Sequence, residues 1–235
     1  MVYWSDFVYS PPGFYGKDIV IDVLSAVVVL LIGIYSFRNF LLDKENKKHL
    51  FLSAAFMLLG LSFIVKIMTN VMTHYEGLTG KQWFISIMGA QLTETYSVLT
   101  AIGFLLYATL TLFGFYLAYA LSSKDRLSMN YVIIAYFILV TTYFTRFNYF
   151  LIYLTAFVFI ISLTRRYLVS YLETKYRNTL MLMISFALIS ISQLVFIFTI
   201  SNHALYVAAE IIQLVGYLFL LYTFIMVLRN ARKKK

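Results

Sequence analysis

The sequence predicts an all-α polytopic membrane protein, a seven-helix bundle with its N-terminus outside and its C-terminus inside. Three observations carry that expectation. The 235 residues are 62% hydrophobic and only 12% charged, with a mean hydropathy of +0.83, which leaves too little polar surface to close a soluble globule. Apolar runs recur at about 19–41, 50–73, 93–121, 129–145, 147–164, 179–201 and 204–228. Lysine and arginine are segregated into alternate connections between those runs.

Residues 1–18 are aromatic and polar, with Asp6 and the turn signal Pro11, Pro12, Gly13. They lack the basic start of a cleaved signal peptide and are expected to form an external N-terminal segment. Residues 19–230 are expected to form one transmembrane domain, and 231–235 a basic cytoplasmic tail. Between the second and third runs, His74 to Thr95 carries Gly77, Gly80, Lys81 and Trp83 before the apolar patch Phe84 to Met88. An interfacial helix or a hairpin lid fits that segment, with Tyr75 and Trp83 suited to the headgroup level. The fourth and fifth runs meet at Thr145, Arg146 and Phe147. Merged, they exceed what one bilayer accommodates, so a tight hairpin at Arg146 is preferred. The last run, of about 26 residues, exceeds the roughly 20 needed to cross and can span with some tilt.

Orientation follows from the charge count. One set of loops holds Arg38, Lys44, Lys47, Lys48, Lys124, Arg126, Arg165, Arg166, Lys175 and Arg177, and the tail adds Arg229, Arg232, Lys233, Lys234 and Lys235. The other set holds only Lys17, Lys81 and Arg146. The richer side is expected to be cytoplasmic, which suits an integral protein of the cell membrane. The net charge of +9 therefore belongs to short loops beside a lipid bilayer and gives no reason to expect a nucleic-acid partner. The chain has no Cys, which removes disulfide and thiol chemistry.

Sliding the chain by 130 residues lays the first two runs on the fifth and sixth without a gap. Leu24, Ala26 and Val28 fall on Leu154, Ala156 and Val158, and Leu42, Asp43 and Lys47 on Leu172, Glu173 and Arg177. Phe56, Ser62 and Val65 then fall on Phe186, Ser192 and Val195. The acid-then-base match in the loop is beyond what apolar composition supplies. A parallel 3+1+3 repeat is expected, with halves at about 19–121 and 147–229 joined by a linker helix at about 129–145.

Two charges lie at membrane depth. Lys66 is 16 residues beyond Leu50, about 24 Å along a helix. Glu210 is six residues past Ala204, about 9 Å below the outer boundary. In a hydrocarbon slab about 30 Å thick these depths agree within a few ångströms, so an ion pair between the second and seventh helices is geometrically possible. One reading is an outward ligand pocket floored by Lys66 and Glu210, with Gln213 and Tyr217 on the same face and Glu94, His74, His203 and Arg146 around its mouth. The other is that Lys66 snorkels to the headgroups and Glu210 is a structural pair. The stripes Ser185, Ser192, Gln193, Thr199 and Thr100, Gly103, Tyr107, Thr111, Gly114 suit close helix packing.

No metal site or cofactor is expected: His49 lies on the opposite side from His74 and His203, and none has a His or carboxylate four residues away on the same helix. H-E-x-x-H, G-x-S-x-G and P-loop signatures are also absent, so no enzymatic activity is expected.

The seventh run, Glu210, Ile211, Ile212, Gln213, Leu214, Val215, Gly216, Tyr217, resembles the last helix of microbial rhodopsins, where an acid precedes the retinal-binding lysine and a Val-Gly-Phe. Seven helices with an external N-terminus are what that resemblance implies. Leu214 stands where the lysine would be, and a Schiff base needs an amine, so an opsin-like scaffold without the chromophore link is implied. The 3+1+3 layout is also similar to that of SWEET and PQ-loop transporters, but their Pro-Gln pair is absent. Three functions follow as expectations. The first is a receptor-like or sensory protein that binds a small-molecule ligand and acts through a membrane or cytoplasmic protein partner. The others are a small-solute transport facilitator and a non-catalytic subunit of a larger membrane complex.

Overall fold

The first helix shows how the chain sorts its residues. In the computed structural model α1 spans Lys17–Leu42, and its buried stripe is Asp18, Asp22, Ser25, Val29, Ile32 and Ser36, stepping by three or four residues. Its exposed face is Val20, Val23, Leu24, Val27, Leu31 and Ile34. Polar groups point inward and large aliphatics outward, which is stable only where the surroundings are themselves apolar.

The structure describes residues 14, 16–74, 92–121, 130–145, 150–200, 202 and 204–232. After α1 come α2 (Lys47–His74), α3 (Leu92–Leu121), α4 (Asn130–Thr145), α5 (Phe150–Thr174), α6 (Arg177–Ile197), a short 3-10 turn (Phe198–Ile200) and α7 (Ala204–Arg232). All the regular structure among the described residues is helical, and six of these helices are long and apolar enough to cross a membrane. The exception is α4, where seven spans were expected. Its 16 described residues make about 24 Å of helix, shorter than the other six.

Sequence boundaries hold to within a few residues except in α5. The apolar signal stops at Thr164, but the helix continues for ten residues through Arg165 and Arg166 to Thr174, since Tyr167, Leu168, Tyr171 and Leu172 are compatible with helix and no Gly or Pro intervenes. Hydropathy marks where lipid ends, and helix geometry does not stop there. Lys175, at φ 55°, breaks the helix, and its N–H bonds the Tyr171 carbonyl. At α2 and α7 an asparagine supplies the entry cap: Asn46 Oδ1 accepts from Lys48 N at 3.3 Å, and Asn202 Oδ1 from Ala204 N at 2.9 Å. The segment around Trp83, the turn expected at Arg146, residues 1–13 and the last three tail lysines lie outside the described residues.

The helices close into a ring. Consecutive helices pack from α1 to α7, α3 also touches α5 beside the short α4, and α7 returns to α1. Glycine permits the closest approaches. A Cβ on Gly114 of α3 would lie 2.6 Å from Leu59 Cγ of α2, and one on Gly216 of α7 would lie 2.7 Å from Ile189 Cγ1 of α6. Ser53 Oγ of α2 donates to the Gly33 carbonyl of α1 at 2.9 Å. Stacked rings, Tyr153 on Phe196 at 4.7 Å and Tyr167 on Phe186 at 5.4 Å, join α5 to α6. At the end where α3 finishes, Arg166 Nη2 donates to Tyr119 Oη at 2.9 Å while its guanidinium sits 4.2 Å from that ring.

Candidate functional site: a lysine shared by two buried acids

Antiparallel packing brings the start of α1, the end of α2 and the start of α7 to the same end of the ring. There Lys66 Nζ donates to Asp22 Oδ1 at 2.8 Å and to Glu210 Oε1 at 2.6 Å. The side chains of Asp22 and Glu210 are 0% and 1% exposed and that of Lys66 11%. One ammonium thus ties the consecutive helices α1 and α2 to α7, 144 residues further on. Each carboxylate would cost several kcal/mol if left charged and unpaired in an apolar interior, so the pairing is obligatory for either acid to stay ionised.

Aromatic side chains wall the ammonium. The Tyr206 ring centroid lies 5.9 Å from Nζ, close enough for a cation–π attraction, and Phe196 meets Tyr206 edge-on at 5.6 Å. One and two turns along α7 from Glu210, Gln213 Nε2 donates to Tyr217 Oη at 3.3 Å, and the Tyr217 ring meets Phe63 of α2 edge-on at 5.6 Å. Gln213 and Tyr217 are buried, and through Phe63 this second contact joins α7 to α2.

The contact between Lys66 and Glu210 is the one that matched membrane depths predict. Gln213 and Tyr217 lie on the same stripe but bond each other rather than the ion pair. Glu94 lies near the start of α3, and its side chain falls outside the described residues, as do those of His74, His203 and Arg146. The hydroxyl stripe of α6 serves its own backbone: Ser185 bonds the Met181 carbonyl, Ser192 that of Ile189 and Thr199 that of Phe196.

Sequence reasoning missed Asp22, the second acid. It sits one turn inside the first span, where a carboxylate passes for an interfacial residue. The signal was its spacing from Asp18, which puts two acids on one helical face. Asp18 and, on α2, Asn70 are also fully buried, at 0% and 1% exposure. No group of three or more His, Cys, Asp or Glu among the described residues is arranged to hold a metal ion.

Chemically, the triad is a charge clamp. It has no nucleophile–base pair, and what it can do is exchange partners: a charged ligand or a proton can take one acid from Lys66 while the other still holds it. Comparison with protein-family models, with curated proteins and with solved structures finds no match.

Proposed function

We propose that this chain is a receptor-like or sensory membrane protein whose responsive element is the Lys66 clamp. The observation that carries the reading is the single ammonium shared between buried acids on α1 and α7. One acid is enough to balance the charge of Lys66, and the second makes the clamp divisible. A small ligand that competes for Lys66 or for one acid releases α1 from α7 at the contact that closes the ring, and a state with altered helix packing is then populated in proportion to the ligand's preference for it.

By the distribution of basic residues, the clamp end faces outward and the lysine- and arginine-rich end faces the cytoplasm of the cell, where a membrane or cytoplasmic partner would read the change. The scaffold remains opsin-like in this reading, with Leu214 in place of a chromophore lysine.

The test is a thermal-shift panel of small amines, carboxylates and zwitterions on the purified protein and on Glu210→Gln and Lys66→Met. At least one class stabilises the wild type and loses its effect in Glu210→Gln. If both variants fold and bind every compound as the wild type does, the clamp is not a ligand site.

A second reading, the 3+1+3 facilitator, has its own support. Ser62 Oγ bonds the Leu59 carbonyl and Ser192 Oγ the Ile189 carbonyl, both at 2.7 Å, and both pairs are related by the 130-residue shift. Gly114 and Gly216 dock on Leu59 and Ile189, which the same shift relates. Asp22 and Lys66, however, correspond to Ile152 and Phe196, both buried, so the second half keeps the packing without the charges. Uptake of small solutes into proteoliposomes, abolished by Lys66→Met, would favour this reading, and flat uptake across a broad panel would count against it.

A further inference from the structure

One turn beyond the clamp, five buried polar atoms have no hydrogen-bond partner: both carboxylate oxygens of Asp18, Oδ2 of Asp22, and Oδ1 and Nδ2 of Asn70. Helical register brings them together. Asp18 precedes Asp22 by four residues on α1, and Asn70 follows Lys66 by four on α2. The two helices are antiparallel and Asp22 is held to Lys66, so one turn on in the same direction Asp18 faces Asn70 across the α1–α2 contact.

The chemistry of these atoms selects the ligand. Four are oxygens that accept and one is a donor, so the set is wrong for an anion and right for a cation. Charge points the same way: Asp18, Asp22 and Glu210 are three carboxylates and Lys66 is the one ammonium among them. A proton on Asp18 would remove its charge but would add a donor and leave Asp22 Oδ2 and Asn70 Oδ1 unsatisfied. Asp18 in the first turn of α1 is favoured by the helix dipole, yet a dipole makes no hydrogen bond to either oxygen. Asp22 already shares its other oxygen with Lys66, which leaves Asp18 as the carboxylate here with no cation bonded to it, so one positive charge is what this point calls for.

We infer that Asp18, Asp22 Oδ2 and Asn70 Oδ1 form a binding site for a singly charged cation, either an alkali ion or the ammonium head of a primary amine. Hard oxygen donors suit both. A cation here draws on the free oxygen of Asp22, so its occupancy is coupled to the strength of the Asp22–Lys66 bond. The site stands whether or not the Lys66 clamp responds to a ligand of its own, because it adds Asp18 and Asn70, whose polar side-chain atoms form no hydrogen bond to Lys66.

The experiment is thermal unfolding of the full chain in detergent at fixed pH and ionic strength, with N-methyl-D-glucamine as the bulky reference cation. It is titrated in separate arms with Na+, K+ and methylammonium. A saturable rise in melting temperature is expected in at least one arm. Saturation by Na+ or K+ identifies an alkali site, and saturation by methylammonium alone an amine site. Asp18→Asn, which is nearly isosteric, should weaken the apparent affinity by about tenfold or more while melting no lower than the wild type in the reference buffer. Asn70→Asp, which adds a carboxylate, should tighten it by a similar factor. Two results would overturn the site: equal melting in all arms, or a cation response that Asp18→Asn leaves intact.

Discussion

Replacing Lys66 by methionine removes the only positive group among the described residues within hydrogen-bonding distance of Asp22 and Glu210 and leaves two buried carboxylates without a counter-charge. Removing one partner of a buried ion pair costs about 3–5 kcal/mol, mostly as the penalty of an uncompensated charge. For a chain of this length, each kcal/mol moves the melting temperature by roughly 2–4 °C. Lys66→Met should therefore melt roughly 6–20 °C below the wild type, read by circular dichroism in detergent micelles. The triple variant Lys66→Met with Asp22→Asn and Glu210→Gln removes all three charges and should recover more than half of that loss, because neutral amides carry no Born penalty. Single neutralisation of Glu210 should cost less than loss of Lys66, since the ammonium keeps Asp22. The reasoning fails if Lys66→Met stays within about 1 kcal/mol of the wild type or if the triple variant is no better than the single one.

Helix packing predicts that Gly114→Ala and Gly216→Ala each overpack a close contact and lose about 1–3 kcal/mol, measured in the same melts. At the other end of the bundle, Tyr119→Phe removes the oxygen that accepts from Arg166 and should cost about 1–3 kcal/mol. Tyr119→Leu also loses the ring beneath the guanidinium and should cost about 0.5–2 kcal/mol more. Because the chain has no cysteine, single Cys replacements report topology directly. Lys17→Cys in intact cells should react with a membrane-impermeant maleimide, and Lys44→Cys should react only after permeabilisation.

Much of this fold was legible because a bilayer imposes a simple rule, that each crossing needs an unbroken apolar helix. The rule located six helices to within a few residues and failed where it has nothing to say. It gave α4 as about 129–145, and the described helix, Asn130–Thr145, keeps those bounds but is shorter than the six long enough to cross. It ended α5 at Thr164, where the apolar run stops, although the helix runs on to Thr174. The contact between Lys66 and Glu210 was also legible, because depth along a helix is arithmetic. Asp22 was not, since an acid near the start of a span looks interfacial until the packing of α7 and α2 is seen to bury it. The pairing of Gln213 with Tyr217 follows from their spacing on one helix, but which of them would reach Lys66 depends on how α7 is rotated, which no local pattern encodes.

The central claim is that one ammonium is held at once by acids on α1 and α7. Nitrogen-15 NMR of lysine-labelled protein in nanodiscs tests it most directly, with the Lys66 resonance assigned by its absence in Lys66→Met. The account predicts a charged Nζ, protected from solvent exchange, whose resonance moves separately in Asp22→Asn and in Glu210→Gln. A Lys66 Nζ that exchanges freely, or one that ignores either substitution, would contradict it.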